Sequence, residues 1–265
     1  MGVLQSSKNV FIVGIKGVAM AGLARILTQM GKQVSGSDTD ESQITDELLN
    51  TLQIAHSKLD SSVPVGTDLV VYSAAHGGVD SFQVKDAQNR KIAVISQAAL
   101  IAELIGIFPK SIAICGSHGK TTTSSMTAFV LQSLGAKVSW LVGAPYFSGY
   151  VTEQKETLTQ FPGGHFEEGS EVFVFEADEY GVCPPTDKTP KILLYNPTHI
   201  ICTNIDFDHP DIYQDLKHVQ KTFDTFYTHA QHVYECHSQT LEGNLVGVRK
   251  CLADLGFVKS EIDEH

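Results

Sequence analysis

The stretch Ser111-Ile-Ala-Ile-Cys-Gly-Ser-His-Gly-Lys-Thr-Thr-Thr123 carries an apolar run into a turn bracketed by Gly116 and Gly119, followed at once by Lys120 and three threonines. It reads as a buried β-strand that opens into a phosphate-binding loop. Backbone N–H groups of a glycine-rich turn, the first amides of the next helix and one ammonium can surround a polyphosphate, while a threonine hydroxyl ligates Mg2+. The helix is legible as well: Met126, Phe129, Val130 and Leu134 recur at helical spacing, and Gly135 stands where a left-handed cap would end it. The expected phosphate ligands are Gly116, Ser117, His118, Gly119, Lys120, Thr121 and Thr122, with Lys120 facing solvent.

Outward from this loop the chain alternates strand and helix. Val10 to Val13, Gln33 to Ser35, Leu69 to Tyr72 and Ile92 to Ile95 read as strands. Between them Val18, Met20, Ala21, Leu23, Ile26, Leu27 and Met30 form one helical face, and further helices are expected near residues 46–52, 82–89 and 98–105. Such alternation predicts an α/β fold with parallel sheets. Gly106-Ile-Phe-Pro109 punctuates the series, so we expect one domain over 1–108 and a second over 109–265. The second is expected to contain strands at Val138 to Val142, Val172 to Phe175 and Ile200 to Thr203, a loop-rich region up to Gly169, and a helix from Asp215 to about Tyr227.

The chain has 265 residues, enough for two compact domains that each bury a core. Its net charge of −11 disfavours nucleic acid and anionic membranes as partners. No run is long and apolar enough for a membrane span and the N-terminus lacks a signal-like apolar segment, so a cytoplasmic protein is expected. Five cysteines without a C-x-x-C pair suit a reducing compartment, with Cys115 and Cys202 as small buried hydrophobes. His229, His232, Cys236 and His237 have spacings usable by zinc, but a matching second pair is missing and they read as solvated or helix-face residues.

Two further strand ends carry candidate chemistry. Gly14-Ile-Lys-Gly-Val-Ala-Met-Ala-Gly22 follows the first strand and Ser35-Gly-Ser-Asp38 closes the second, which suits a diphosphate at a helix N-terminus with Asp38 reaching a ribose or base. Lys16 and Ala19 stand where a dinucleotide fingerprint needs glycine, so NAD is poorly supported. Glu176-Ala-Asp-Glu-Tyr180 follows an apolar strand, where a carboxylate can hold Mg2+ opposite the loop threonine.

These segments resemble the Mur ligase superfamily, whose ATP loop is G-T-x-G-K-T. Gly14, Gly17, Met20, Gly22 and Asp38 match the family's UDP-binding turn, and Tyr72-Ser-Ala-Ala75 resembles its serine turn near the diphosphate. Lys16, Ala19 and Ala21 depart from that pattern, although Lys16 could add a phosphate contact. Asn204-Ile-Asp-Phe-Asp-His209 resembles the motif T-N-x-x-x-D-H. The resemblance implies a Rossmann-like UDP-binding domain followed by a P-loop ATPase-type central domain. It also implies UDP-sugar contacts at Gly14, Gly17, Asp38 and Ser73, ATP contacts from the loop and Asn204, and metal ligation by Thr121, Glu176 and His209, with Lys120, Glu176 and His209 catalytic.

The activity implied is an ATP- and Mg2+-dependent ligation. A carboxylate of UDP-N-acetylmuramate becomes an acyl phosphate that the amine of an L-amino acid attacks, as in peptidoglycan synthesis. The branch that adds L-alanine is favoured, the murein tripeptide recycling branch is the alternative, and a nucleotide-binding module without ligase activity is a third reading. The family's C-terminal domain is expected to be missing from this chain. The segment from Leu241 to Gly256 resembles the helix near the end of the family's central domain, with Leu245, Val248, Leu252 and Leu255 on one face; the chain reaches it early, so part of that domain is expected to be shortened. Self-association is left open.

Overall fold

The computed structural model describes residues 2–150, 158–236 and 241–258. In the first part of the chain α1 (Val3–Ser6), β1 (Asn9–Val13), α2 (Val18–Gln29), β2 (Gln33–Asp38), α3 (Asp46–Thr51), β3 (His56–Lys58), β4 (Leu69–Tyr72), α4 (Phe82–Asn89), β5 (Ala93–Ser96) and α5 (Gln97–Ile105) follow one another. Their strands form a parallel sheet in the order β3-β2-β1-β4-β5. The order reverses at β1, so the turns after β1 and β4 lie side by side at the C-terminal edge of the sheet. An open α/β sheet takes its ligand at such a point.

The second part comprises β6 (Lys110–Cys115), α6 (Lys120–Ser133), β7 (Val138–Tyr150), β8 (Leu158–His165), β9 (Val172–Glu176), β10 (Gly181–Cys183), β11 (Asp187–Pro190), β12 (His199–Cys202), α7 (Leu216–Tyr227), β13 (His232–Glu235) and α8 (Leu241–Asp254). The main sheet runs β13-β12-β6-β9-β7-β8 and is parallel except for the β7–β8 pair. Both faces of its middle are covered, which explains why β6, β9 and β12 are almost wholly apolar runs rather than alternating ones. Because β6 lies between β12 and β9, the loops that follow these three strands meet at one edge.

Several expectations change. Within the region expected to be loop-rich, residues 143–150 and 158–165 belong to an antiparallel ribbon in which Phe147 faces Phe161 and Trp140 faces His165, and residues 151–157 lie outside the described residues. Gly and Pro concealed it: the register shifts between Leu141 and Tyr146, where Pro145 sits, and the Pro162 carbonyl accepts a 2.8 Å bond from Trp140 Nε1. On α6 the buried face is Thr123, Ser124, Thr127, Ala128 and Leu131, while Leu134 is exposed. Sheet packing selected the small residues of that helix. On α8, Val248 and Leu252 are buried as expected, but Leu245 is exposed and Asn244 and Cys251 join the buried side. Short strands β3, β10, β11 and β13 carry too few residues for a periodic signal.

Nor are the two cores separate. One apolar cluster runs from α2 and α5 into β9, β12 and α7, and Phe108 stacks on Phe173 with ring centroids 4.9 Å apart. Cys115 and Cys202 are buried register partners on β6 and β12. Among the described residues no helix is long and apolar enough to cross a membrane.

Candidate active site

The loop between β6 and α6 has its two glycines at positive φ, Gly116 at 126° and Gly119 at 80°. At Gly116 a Cβ would collide with Thr203 Oγ1 and the Asn204 backbone, so only glycine allows the approach. The residues after β12 brace the loop. Ser117 N donates to the Asn204 carbonyl at 3.1 Å, His118 N donates to Asn204 Oδ1 at 3.0 Å, and Asn204 Nδ2 returns a bond to the His118 carbonyl at 2.9 Å. Thr203 Oγ1 adds a 2.6 Å bond to the same carbonyl. Asn204 thus holds the loop's shape. Since α6 begins at Lys120, its first amides, which a helix leaves without internal partners, lie at the mouth of the loop beside exposed Thr122.

The three carboxylates at and just beyond the end of β9 take three different partners. Glu176 Oε2 accepts from Thr121 Oγ1 and from Gly143 N, each at 2.9 Å. Asp178 Oδ2 accepts from Lys191 Nζ at 2.7 Å. Glu179 receives Lys120 Nζ on both oxygens, at 3.1 and 2.9 Å, and the lysine also reaches the Gly116 carbonyl at 2.6 Å. Lys120 is therefore not solvent-facing: its side chain is 14% exposed, against 2% for Glu179. The correction follows from the strand order, which sets the end of β9 beside the loop.

Burial pushes the Glu176 carboxyl above the ordinary carboxylate range despite the bonds from Thr121 and Gly143. It also raises Glu179, with Lys120 opposing. Burial works the same way on Asp178, but the Lys191 ammonium outweighs it and holds that carboxyl low.

His209 sits at φ 56° with its ring 4.8 Å from that of Tyr180. Its Nε2 is 3.8 Å from Glu179 Oε1, and single ligand atoms of Asp178, Glu179 and His209 lie within 4.8 Å of one another. Of the expected metal-ligand set Thr121, Glu176 and His209, the first two are hydrogen-bonded to each other, whereas His209 is grouped with Glu179 and Asp178. Glu179 escaped the sequence reading because only its place in the motif E-A-D-E signalled it.

At the first sheet, Gly14 adopts φ 74° and both Gly14 N and Ile15 N donate to the Ser37 carbonyl. Gly17 N donates to the Gly14 carbonyl and caps α2. Asp38, 5% exposed, is committed inward: Oδ2 accepts from Lys16 N at 2.7 Å and Oδ1 from Thr39 N at 2.7 Å, with His76 Nε2 at 3.5 Å. It shapes the glycine turn from beneath. Lys16 is buried too, its ammonium at 2.9 Å from the Glu41 carbonyl and 3.3 Å from Asp46, so its charge is engaged by protein oxygens. Ser73 Oγ accepts from Ala75 N at 3.3 Å and lies across from Gly14, on the far side of the switch point. A cavity of about 130 Å³ between the sheets is lined by Ala19 at the start of α2 and by Gly143, Glu176 and Lys191.

The residues with zinc-like spacing take separate surroundings. His229 Nδ1 lies 2.9 Å from the Tyr195 carbonyl, His232 stacks on His199, and Cys236 is half-buried; His237 lies outside the described residues.

Residues 9–108 match the family described as Mur ligase family, catalytic domain, and residues 114–234 match the Mur ligase middle domain. The chain belongs to the Mur ligase family. A Fusobacterium nucleatum protein named UDP-N-acetylmuramate--L-alanine ligase is 33% identical over 230 residues, 87% of this chain and 44% of that protein. A Clostridium perfringens protein of the same name is 34% identical, over 83% of this chain and 44% of its own length. The chain thus spans about half the length of the curated relatives it matches.

Among solved Mur ligases, the UDP-N-acetylmuramate:L-alanyl-gamma-D-glutamyl-meso-diaminopimelate ligase of Neisseria meningitides superposes with a TM-score of 0.71 at 27% identity, over 91% of this chain and 75% of that one. A UDP-N-acetylmuramate-alanine ligase from Thermotoga maritima superposes with a TM-score of 0.70 at 22% identity, over 89% of this chain and 51% of its own, a likeness of fold.

Proposed function

We propose that this chain provides the UDP-sugar and ATP sites of a ligase that joins an L-amino acid, L-alanine first among them, to UDP-N-acetylmuramate in peptidoglycan synthesis in the cytoplasm. The observation that carries the reading is the cavity between the two sheets, which leads from the start of α2 to Glu176. A diphosphate on the turn of Gly14, Gly17 and Ser73 places the sugar's carboxylate toward that passage. The boundary between the two binding units is assigned to Gly106–Pro109.

At the second sheet the amides of the loop and of the first turn of α6 take the polyphosphate of ATP, and Lys120 adds a positive charge as phosphoryl transfer demands. Thr121 and Glu176 offer hard oxygen donors already 2.9 Å apart, which fit Mg2+. When bound there, Mg2+ offsets charge on the phosphoryl group. Asn204 holds His118 and with it the curvature of the loop. The amine of the amino acid then attacks the acyl phosphate and phosphate leaves.

The test is release of inorganic phosphate from Mg-ATP with UDP-N-acetylmuramate and each L-amino acid in turn. Release that needs both co-substrates supports ligation; ATP binding without it leaves a nucleotide-binding module. The Neisseria tripeptide ligase, matched over three quarters of its length, favours a second reading in which the acceptor is a peptide. L-alanyl-γ-D-glutamyl-meso-diaminopimelate replacing alanine in the same assay would establish that reading.

A further inference from the structure

The closest ionic contact of the phosphate loop is internal, and nothing in the proposed reaction yet uses it. Lys120 Nζ meets both oxygens of Glu179 and the Gly116 carbonyl, so its donors are directed at protein oxygens. Glu179 is itself anchored, because its carbonyl accepts a 2.6 Å bond from the hydroxyl of Tyr213, which is 1% exposed. A carboxylate buried so fully on a backbone so anchored keeps its lysine until another anion competes for the ammonium.

We propose that Glu179 is a positioning residue that stands in for a phosphate group: its carboxylate holds Lys120 ready in the loop, and an incoming polyphosphate displaces it from the ammonium. The inference rests on the reading of residues 116–121 as a phosphate loop. It assigns Glu179 a role separate from that of Glu176, whose carboxylate answers Thr121 and Gly143 instead. The exchange is of hydrogen-bond partners only, with no bond made or broken. Once Lys120 turns to phosphate, Glu179 is left facing His209, 3.8 Å away.

Because the carboxylate competes with the ligand, removing its charge while keeping its shape should strengthen metal-free polyphosphate binding. Glu179→Gln should bind inorganic tripolyphosphate in EDTA about tenfold more tightly than the parent. Asp178→Asn is the control for general acidity: its carboxylate lies within 4.8 Å of Glu179's in the ligand-atom cluster but answers Lys191, and its gain should be less than about twofold. A purely structural Glu179 would give weaker binding together with a lower melting temperature.

Calorimetry on all three folded proteins decides the matter. A tenfold gain confined to Glu179→Gln supports the proposal; unchanged or weaker binding in that variant, or equal gains in both, overturns it. A parent that binds no tripolyphosphate and no Mg-ATP overturns the phosphate-loop reading itself, whereas a parent that binds both and a variant that gains nothing overturns only the role of Glu179.

Discussion

Gly22 of α2 and Gly164 of β8 touch backbone to backbone: a Cβ on Gly164 would run into the Gly22 carbonyl, and one on Gly22 would press on Leu141. Around this contact Gln29 Oε1 accepts a 2.8 Å bond from Phe166 N. The helix that begins at the first glycine turn is thereby fitted against the ribbon whose Gly143 supports Glu176. Gly22 matches the family's glycine turn in sequence, but its place in the structure is the seam between the sheets.

Gly164→Ala should therefore lower stability by about 1–3 kcal/mol, because neither backbone can yield without moving α2 from the ribbon. Urea denaturation measures the loss, and a variant as stable as the parent would show the seam to be loose.

Lys120→Met should do more than remove a phosphate contact. It leaves Glu179 buried without its partner, at a cost of about 3–5 kcal/mol where the charge is fully desolvated. The double variant Lys120→Met, Glu179→Gln should recover most of that stability while still binding Mg-ATP poorly. Thermal melts paired with ATP calorimetry separate the two effects, and equal stability of single and double variants would count against a buried pair.

Glu176→Gln should raise the Mg2+ concentration needed for ATP binding by about tenfold or more, since an amide oxygen replaces a carboxylate beside Thr121. Titrating Mg2+ against a fixed ATP concentration reads this directly. His209→Ala should shift the same curve less, because His209 is grouped with Glu179 rather than with Thr121.

Burial, with His232 stacked alongside, pushes the His199 imidazole down to about 4 from its ordinary value near 6.5. Between those values the unfolded chain binds a proton that the folded one refuses, so stability rises with pH across the window and is lost as pH falls toward 4. The contribution is at most about 3 kcal/mol. His199→Phe keeps an aromatic ring and should flatten the slope of unfolding free energy between pH 6.5 and 4; an unaltered slope would mean that the histidine titrates normally.

The longer strands and helices, the left-handed cap at Gly135 and the loop from Gly116 to Thr121 were legible in the sequence because each depends on neighbours within a few residues. An apolar strand followed by glycine, lysine and threonine carries its meaning locally. So does Asp215, which caps α7 by accepting from His218 N. The ribbon of β7 and β8 was hidden by Pro145 and Pro162, which mark turns in isolation yet sit here at a register shift and on an accepting carbonyl. What only the tertiary structure decided is which side chain answers which. Glu176 and Glu179 are three residues apart in one motif and look alike in sequence, but the order β12-β6-β9 sets the first against Thr121 and the second against Lys120 and His209. Likewise Asp38 and Lys16 carry the charge expected of ligands, and packing turned both inward to build the turn. Strand order and the direction of a side chain are long-range outcomes of how sheets bury their faces, and a local pattern of residues does not contain them.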